Sequence, residues 1–233
     1  MPSLSRLLYN ITLLFGIFKP TSYMLTGGWS IGVEVVFYIF FPMFLFLQRR
    51  NPRIMPLISL LLFTIFAFYL LDSTESLPKI WHLYINPCNQ FLFFVVGFMF
   101  VEINQSISKK GIYIAGSIAV LIFIFYNIHD SLVAIMTGLP RVIFSFAIIC
   151  VCLASYHITI PKGIVSKVLQ FLGTISYSLY LSHPLIMNAV AYLINNRLTT
   201  LLIVAMPATL FLSFLLYKYI ELPCIDYARK ISS

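Results

Sequence analysis

The chain has 233 residues, 61% of them hydrophobic and 9% charged, with a mean hydropathy of +0.97, a composition that excludes a soluble globular domain and indicates a polytopic integral membrane protein. Its net charge of +8 is not gathered into a basic patch with interleaved aromatics, which excludes nucleic acid as a partner. The four cysteines, Cys88, Cys150, Cys152 and Cys224, show neither a CxxC pair nor metal-ligand spacing, so no metal site and no disulfide framework is expected.

A bilayer core about 30 Å thick takes about 20 mostly apolar helical residues to cross. Runs such as residues 57–71, LISLLLFTIFAFYLL, do not alternate as barrel strands do. The expected fold class is therefore all-α, a polytopic transmembrane helix bundle. In chain order, residues 1–28 read as an external loop or interfacial segment, because the apolar stretch 4–18 is short and carries Arg6 and Asn10. Arg6 is followed by no small-residue cleavage motif, so no cleavable signal peptide is expected. About seven spans come next, near 29–47, 54–71, 87–103, 112–128, 140–156, 172–194 and 199–217. They form a membrane domain over 29–220, and residues 221–233 form a cytoplasmic tail.

Lysine and arginine set the orientation. One set of connections holds ten: Arg49, Arg50, Arg53, Lys109, Lys110, Lys162, Lys167, Lys218, Arg229 and Lys230. The alternate set holds five: Arg6, Lys19, Lys79, Arg141 and Arg197. The richer side is expected to be the cytoplasm, which puts the C-terminus inside and the N-terminal segment outside. An external start fits either N-out insertion or an odd number of helices missing upstream.

Of the seven acidic residues, Asp72, Glu75 and Asp130 fall in expected external loops, and Glu102, Glu221 and Asp226 at or beyond cytoplasmic helix ends. Only Glu34 falls within a span, in GGWSIGVEVVFYIFFP over 27–42. A carboxylate inside a span costs several kcal/mol unless it is protonated, paired or facing a polar cavity, and so marks a functional site. The alternative is a shallow helix-packing hydrogen bond, since Glu34 lies about 8 Å along the helix from Trp29. Ser30, Glu34 and Phe41 share one helical face, with Tyr38 beside it. Trp29 and Gly27-Gly28 mark the start of the helix at the membrane interface.

A second polar stripe runs through LGTISYSLYLSHPLIMN, residues 172–188, where Ser176, Tyr180, His183 and Met187 share a face. Tyr177, Ser182 and Asn188 add polar groups on the same span. Pro184 disfavours helical geometry at His183 and frees the carbonyl of Tyr180, so a kink is expected there. His183 and Tyr180 then line a site or pore, or form a hydrogen-bonded packing group beside the kink. His82, His129 and His157 sit at loops or span ends and read as surface residues.

Both stretches resemble one family. WSIGVEVVFYIFFP at 29–42 resembles the WSLSVEEQFYLLFP signature of the acyltransferase-3 family of integral membrane acyltransferases, the O-antigen and surface-polysaccharide acetylase type; Trp29, Ser30, Val33, Glu34, Phe37, Tyr38 and Pro42 match. LQFLGTISYSLYLSHPLIM at 169–187 is similar to the late GRISYSLYLWHWPI segment, through Ile175 to Leu181, His183 and Pro184. There are departures: Val35-Val36 stands where Glu-Gln is common, Ser182 replaces a tryptophan, and an early family helix with an Arg and a proposed catalytic His about eleven residues apart has no counterpart here.

The resemblance implies an enzyme of a bacterial inner (plasma) membrane that moves an acyl group from acetyl-CoA, a cosubstrate and not a bound cofactor, to a hydroxyl of a cell-surface glycan or lipid-linked saccharide. It implies Glu34 and His183 as catalytic residues, with Trp29, Ser30, Tyr38, Ser176, Tyr177 and Tyr180 lining the substrate passage. Membrane lipid, acyl-CoA and the saccharide acceptor are the implied partners. Two other readings stand beside it: a proton-coupled carrier, for which an intramembrane acid and a His-Pro break also serve, and a non-catalytic component of envelope glycan assembly.

Overall fold

The computed structural model describes residues 3–126, 132–194 and 198–232. Asp130, His129 and Arg197 lie outside the described residues, as does the side chain of Glu102. The described chain is helical, with no strand, and divides into two compact units: Met1–Tyr23 with Trp29–Thr159, and Met24–Gly28 with Ile160–Ser233.

The first unit opens with two short helices, α1 (Leu4–Ile11) and α2 (Phe15–Phe18). Arg6 and Asn10 sit on the polar side of α1 and stitch it to the next turn: Arg6 donates from Nε to the Ser22 carbonyl and from Nη2 to that of Tyr23, both at 3.2 Å, and Asn10 donates to Ser22 at 3.0 Å. The opposite side of α1 exposes Leu4, Leu8 and Ile11. Helix α2 presses against α3 (Gly28–Arg50) at two glycines. A Cβ at Gly16 would overlap the Gly32 carbonyl, and one at Gly32 would lie 3.1 Å from the Gly16 Cα and overlap the Phe15 ring.

Helix α3 packs its Val33, Phe37 and Phe44 face against α4 (Ile54–Ile65) and α6 (Pro87–Phe98), where Met55, Phe91 and Val95 complete a buried cluster. The Phe37 and Phe94 rings stack with centroids 4.5 Å apart. The connection between α4 and α6 holds α5 (Leu77–Tyr84), and α6 is followed by α7 (Phe100–Ser106). Helix α8 (Lys109–Phe125) and, after α9 (Leu132–Ile135), helix α10 (Gly138–His157) pack through small residues, Ala119 against Ala147 and Cys150.

The second unit begins with α11 (Ile164–Thr174) and α12 (Ser176–Leu193), which meet at a bend of 70°. A long helix completes it: α13 (Leu198–Thr200), a π turn over Leu201–Ala205, α14 (Met206–Leu216), a second π turn over Tyr217–Glu221 and α15 (Leu222–Ser232).

Each expected span overlaps helix, those at 87–103 and 172–194 each divided between two, and residues 127–128 of the span at 112–128 lie outside the described residues; yet fewer than seven are long and apolar enough to cross a bilayer. Among the described residues three pass, Gly28–Arg50, Gly138–His157 and Leu198–Ile231, or up to four if the bent pair α11 and α12 is one span. The expected span at 87–103 breaks at Met99 into α6 and α7, and the 12 residues of α6 reach about 18 Å. Within the expected span at 54–71 the helix Ile54–Leu70 is 17 residues long, 12 of them in α4 and five in the π turn Phe66–Leu70.

The break in the second marked segment also lies elsewhere than at Pro184. It falls at Ile175, where the Ser176 hydroxyl takes the Gly173 carbonyl at 2.8 Å and closes α11. Helix α12 continues through Pro184, because the carbonyl of Tyr180 that the proline cannot serve is taken by His183 Nδ1 at 2.8 Å.

The Gly16–Gly32 contact leaves no room for a side chain. Gly32→Val is expected to destabilise the first unit by about 2 kcal/mol, in the range for forced overpacking. A thermal unfolding scan of the detergent-solubilised protein checks this, with Gly97→Ala, which meets no atom within 4 Å, as the neutral comparison.

Candidate functional site

In α3 the residues Val33, Phe37 and Phe44 bury the hydrophobic face, so the rows between them turn away from the core. Ser30, Glu34 and Tyr38 succeed one another at steps of four along such a row. Ser30 is half-buried, Glu34 is exposed, and Tyr38 is 65% exposed. Phe41 leaves this row and packs edge-on against Phe94 and Phe98.

Glu34 stands apart from the other acids. Asp72 accepts from the backbone and the hydroxyl of Thr74, both at 2.8 Å, and those two donors hold its carboxyl below the usual aspartate range. Glu75 pairs with Lys79 at 2.7 Å, Asp226 lies 3.8 Å from Arg229, and Glu221 accepts from Ser178 at 2.8 Å. Among the carboxylates whose side chains are described, Glu34 alone has no hydrogen-bond or ion-pair partner in the described residues. It sits seven residues into a helix long and apolar enough to span a membrane. A carboxylate so placed costs several kcal/mol without a polar partner.

Trp29, at the start of α3, meets residues that the sequence separates widely. Its ring lies edge-on to Trp81 at 5.9 Å and tilted to Tyr84 at 5.8 Å, Trp81 stacks on Tyr84 at 5.5 Å, and Trp81 Nε1 donates to the Tyr23 hydroxyl at 2.8 Å. This aromatic group is held from below by a polar chain. Asn89 and Gln90 both donate to the Tyr84 carbonyl, at 2.7 and 2.8 Å, and Arg141 Nη2 donates to Asn89 Oδ1 at 2.6 Å and to its carbonyl at 3.2 Å.

Sequence reasoning counted Arg141 with the external connections, at the very start of the expected span 140–156. The structure puts it in the first turn of α10, 5% exposed, with its guanidinium 4.7 Å above the Phe63 ring. Its neighbour Pro140 is a residue suited to a helix start, which was the signal that the helix had already begun. No carboxylate among the described residues pairs with Arg141, so neutral acceptors and a ring face carry its charge.

In the second unit, α12 divides its polar residues between two faces. Ser178 and Ser182 are buried, whereas Tyr177 and Tyr180 are 47% and 38% exposed. Ser176 is spent on closing α11. Tyr180 Oη donates to the Gly27 carbonyl at 3.3 Å, and Gly27 holds φ at +84°, a left-handed conformation that suits glycine. Tyr180 thereby ties the second motif to the turn two residues before Trp29.

His183 lies on the half-buried side of α12, its ring 5.8 Å from that of Tyr180. A carbonyl can only accept, so Nδ1 donates to Tyr180; in the neutral ring this leaves the Nε2 lone pair for a further proton. The other described histidines keep to the surface reading, with His82 exposed and His157 ending α10. Among the described residues no group of three or more His, Cys, Asp or Glu is placed to hold a metal ion.

A family model described as an acyltransferase domain, of the acyltransferase-3 type, matches residues 5–218. No curated protein and no solved structure matches the chain.

Removing the partner of a buried guanidinium leaves an uncompensated charge. Asn89→Ala is expected to cost about 3 kcal/mol, whereas Asn89→Asp keeps an acceptor for Arg141 and is expected to cost far less. Folded yield and thermal midpoint of the two variants in detergent check the difference.

Proposed function

We propose, on the premise that this chain belongs to the acyltransferase-3 family of membrane acyltransferases, that it moves an acyl group from a coenzyme A thioester to a hydroxyl of a cell-surface or lipid-linked saccharide. An acetyl group is the acyl unit in this reading, and a bacterial inner membrane is its setting. The observation that carries it is Glu34, an unpartnered carboxylate on the exposed face of a spanning helix, in the motif that the family resemblance also marks.

The chemistry asks for three things. A base removes the proton of the acceptor hydroxyl, hydrogen-bond donors stabilise the oxyanion that forms when the hydroxyl oxygen attacks the thioester carbonyl, and the carbon–sulfur bond then breaks to release the coenzyme A thiol, which takes up the proton. In this reading Glu34 supplies the negative charge at the reacting centre, accepting the hydrogen bond of the acceptor hydroxyl or of the base that serves it. His183 offers Nε2 as a proton acceptor, because Nδ1 is already committed to Tyr180. Tyr177 and Tyr180 lie along the exposed side of α12, where they line the passage, the Tyr180 hydroxyl being already given to the Gly27 carbonyl. Trp29, Ser30 and Tyr38 line the approach along α3. The tilt of the reading toward an enzyme rather than a carrier comes from the family match, which covers both motifs.

Two substitutions test it. Glu34→Gln keeps the shape and loses the charge, and is expected to lower acyl transfer by about 100-fold or more, the usual scale for a group acting in acid–base chemistry. His183→Asn retains an amide donor for the Tyr180 carbonyl but has no second ring nitrogen, and transfer is expected to fall about 100-fold with the thermal midpoint unchanged. The measurement is transfer of labelled acetyl from acetyl-CoA to a membrane glycan by native membranes carrying each variant. Unchanged transfer in Glu34→Gln, or proton-coupled flux in proteoliposomes without transfer, contradicts the proposal.

A further inference from the structure

Two prolines shape the last helix. Pro207 and Pro223 have no N–H to give the carbonyls four residues earlier, Ile203 and Tyr219, and their rings crowd those carbonyls. Just ahead of each, the helix widens into a π turn: Met206 N–H bonds to the Leu201 carbonyl and Leu222 N–H to that of Tyr217, five residues back in both cases. A π turn absorbs one extra residue and rotates the side chains beyond it about the helix axis, and such turns recur at functional sites.

That rotation decides where Glu221 points. Ala205, Thr209 and Ser213 form a buried stripe at steps of four, with 1%, 6% and 0% exposure. Their hydroxyls fold back on the helix, Thr209 onto the Ala205 carbonyl at 2.7 Å and Ser213 onto Thr209 at 2.6 Å. Glu221 is eight residues beyond Ser213, which at about 100° per residue would put it about 80° off the stripe in a straight α-helix. With one residue absorbed by the π turn it takes the place of a seventh residue, about 20° off. Its long side chain leans toward the helix N-terminus and meets the Ser178 hydroxyl at 2.8 Å, one turn of α12 from the Ser182–Ser213 contact, also 2.8 Å.

Ser178 is 5% exposed and gives its only proton to Glu221. It is thus a fixed strut of the helix pair and not an open nucleophile. Its neighbours on α12 are the exposed Tyr177 and, two residues on, Tyr180, which reaches the Gly27 carbonyl. Rotation of α12 about its axis is set by the two hydroxyl contacts on the buried side and is read out by the tyrosines on the other.

We propose that Glu221 is a positioning residue for the acyl-transfer centre: by accepting the Ser178 hydrogen bond, it fixes the rotation of α12 and so the aim of Tyr177, Tyr180 and His183. The inference rests on the proposed function for its activity readout and on the helix contacts alone for its structural one. Pro223 belongs to the device, because without it the helix straightens and Glu221 swings off the stripe.

The test uses the full chain in lipid nanodiscs. Glu221→Ala, Ser178→Ala and their double variant are each expected to lower kcat for acyl transfer about tenfold, with KM for the acyl donor within about twofold. The double variant is expected to be no worse than either single one, the signature of residues acting through each other. Glu221→Gln retains an acceptor oxygen and is expected to stay within about threefold of the parent. Pro223→Ala is expected to match Glu221→Ala.

Hydrogen exchange gives the activity-free arm. The amide of Gly28, bonded to the Leu25 carbonyl at 2.8 Å, is expected to exchange faster in Glu221→Ala and Ser178→Ala and to be unchanged in Glu221→Gln. Additive losses in the double variant, or unaltered exchange at residues 24–28 in both alanine variants, would overturn the positioning role. A parent protein without acyl transfer would sink the functional reading instead and leave the exchange arm to judge this one.

Discussion

A hydrocarbon interior gives a polar side chain no water to fall back on, so each such group has to find its partner within the protein. That requirement organises this chain. Arg141 has Asn89 and the Phe63 ring, Ser178 has Glu221, Ser182 has Ser213, and the carbonyl stranded by Pro184 has His183. Among the described residues one buried side-chain polar atom, Gln48 Oε1, is left without a partner. Glu34 differs from the other described carboxylates in having no partner, and it is exposed. Because the other described carboxylates are all partnered, an unmatched one on a helix long enough to span a membrane stands out.

The same requirement explains the backbone. Proline inside a helix strands a carbonyl, and this sequence answers in two ways. At Pro184 a side chain takes the carbonyl and α12 runs on as an α-helix. Ahead of Pro207 and Pro223 the helix takes a π turn. The first answer places a histidine ring with a defined tautomer beside the Tyr180 ring, and the second carries an acid onto a buried serine. The small residues work differently: Gly16 and Gly32 let two backbones touch, and Ala119 and Ala147 let α8 and α10 close up, contacts that need no solvent to drive them.

Much of this was legible in the sequence, and what was missed has a common cause. Composition and run length gave the all-helical character though not the number of spans, and the membrane cost of a carboxylate singled out Glu34. Hydropathy could not see that Met99 breaks a run into two short helices, since the break is one of backbone conformation and not of polarity. The rule that proline kinks a helix located a strained carbonyl correctly but not its remedy, because the donor, His183, is itself part of the pattern being read. Arg141 was counted as a cation at a span end, and Glu221 as an end-of-helix acid, because their partners, Asn89 and Ser178, lie 52 and 43 residues away in the chain. Tertiary pairing of that kind leaves no local period.

The central claim is that the Glu34 carboxylate serves the transfer reaction, and chemical modification tests it most directly. A hydrophobic carbodiimide reacts with carboxyl groups at membrane depth, and peptide mass mapping locates the adduct. The account predicts that modification of Glu34 proceeds in step with loss of acyl transfer, and that a saccharide acceptor or acyl-CoA slows both together. Stoichiometric modification of Glu34 with transfer intact would contradict it.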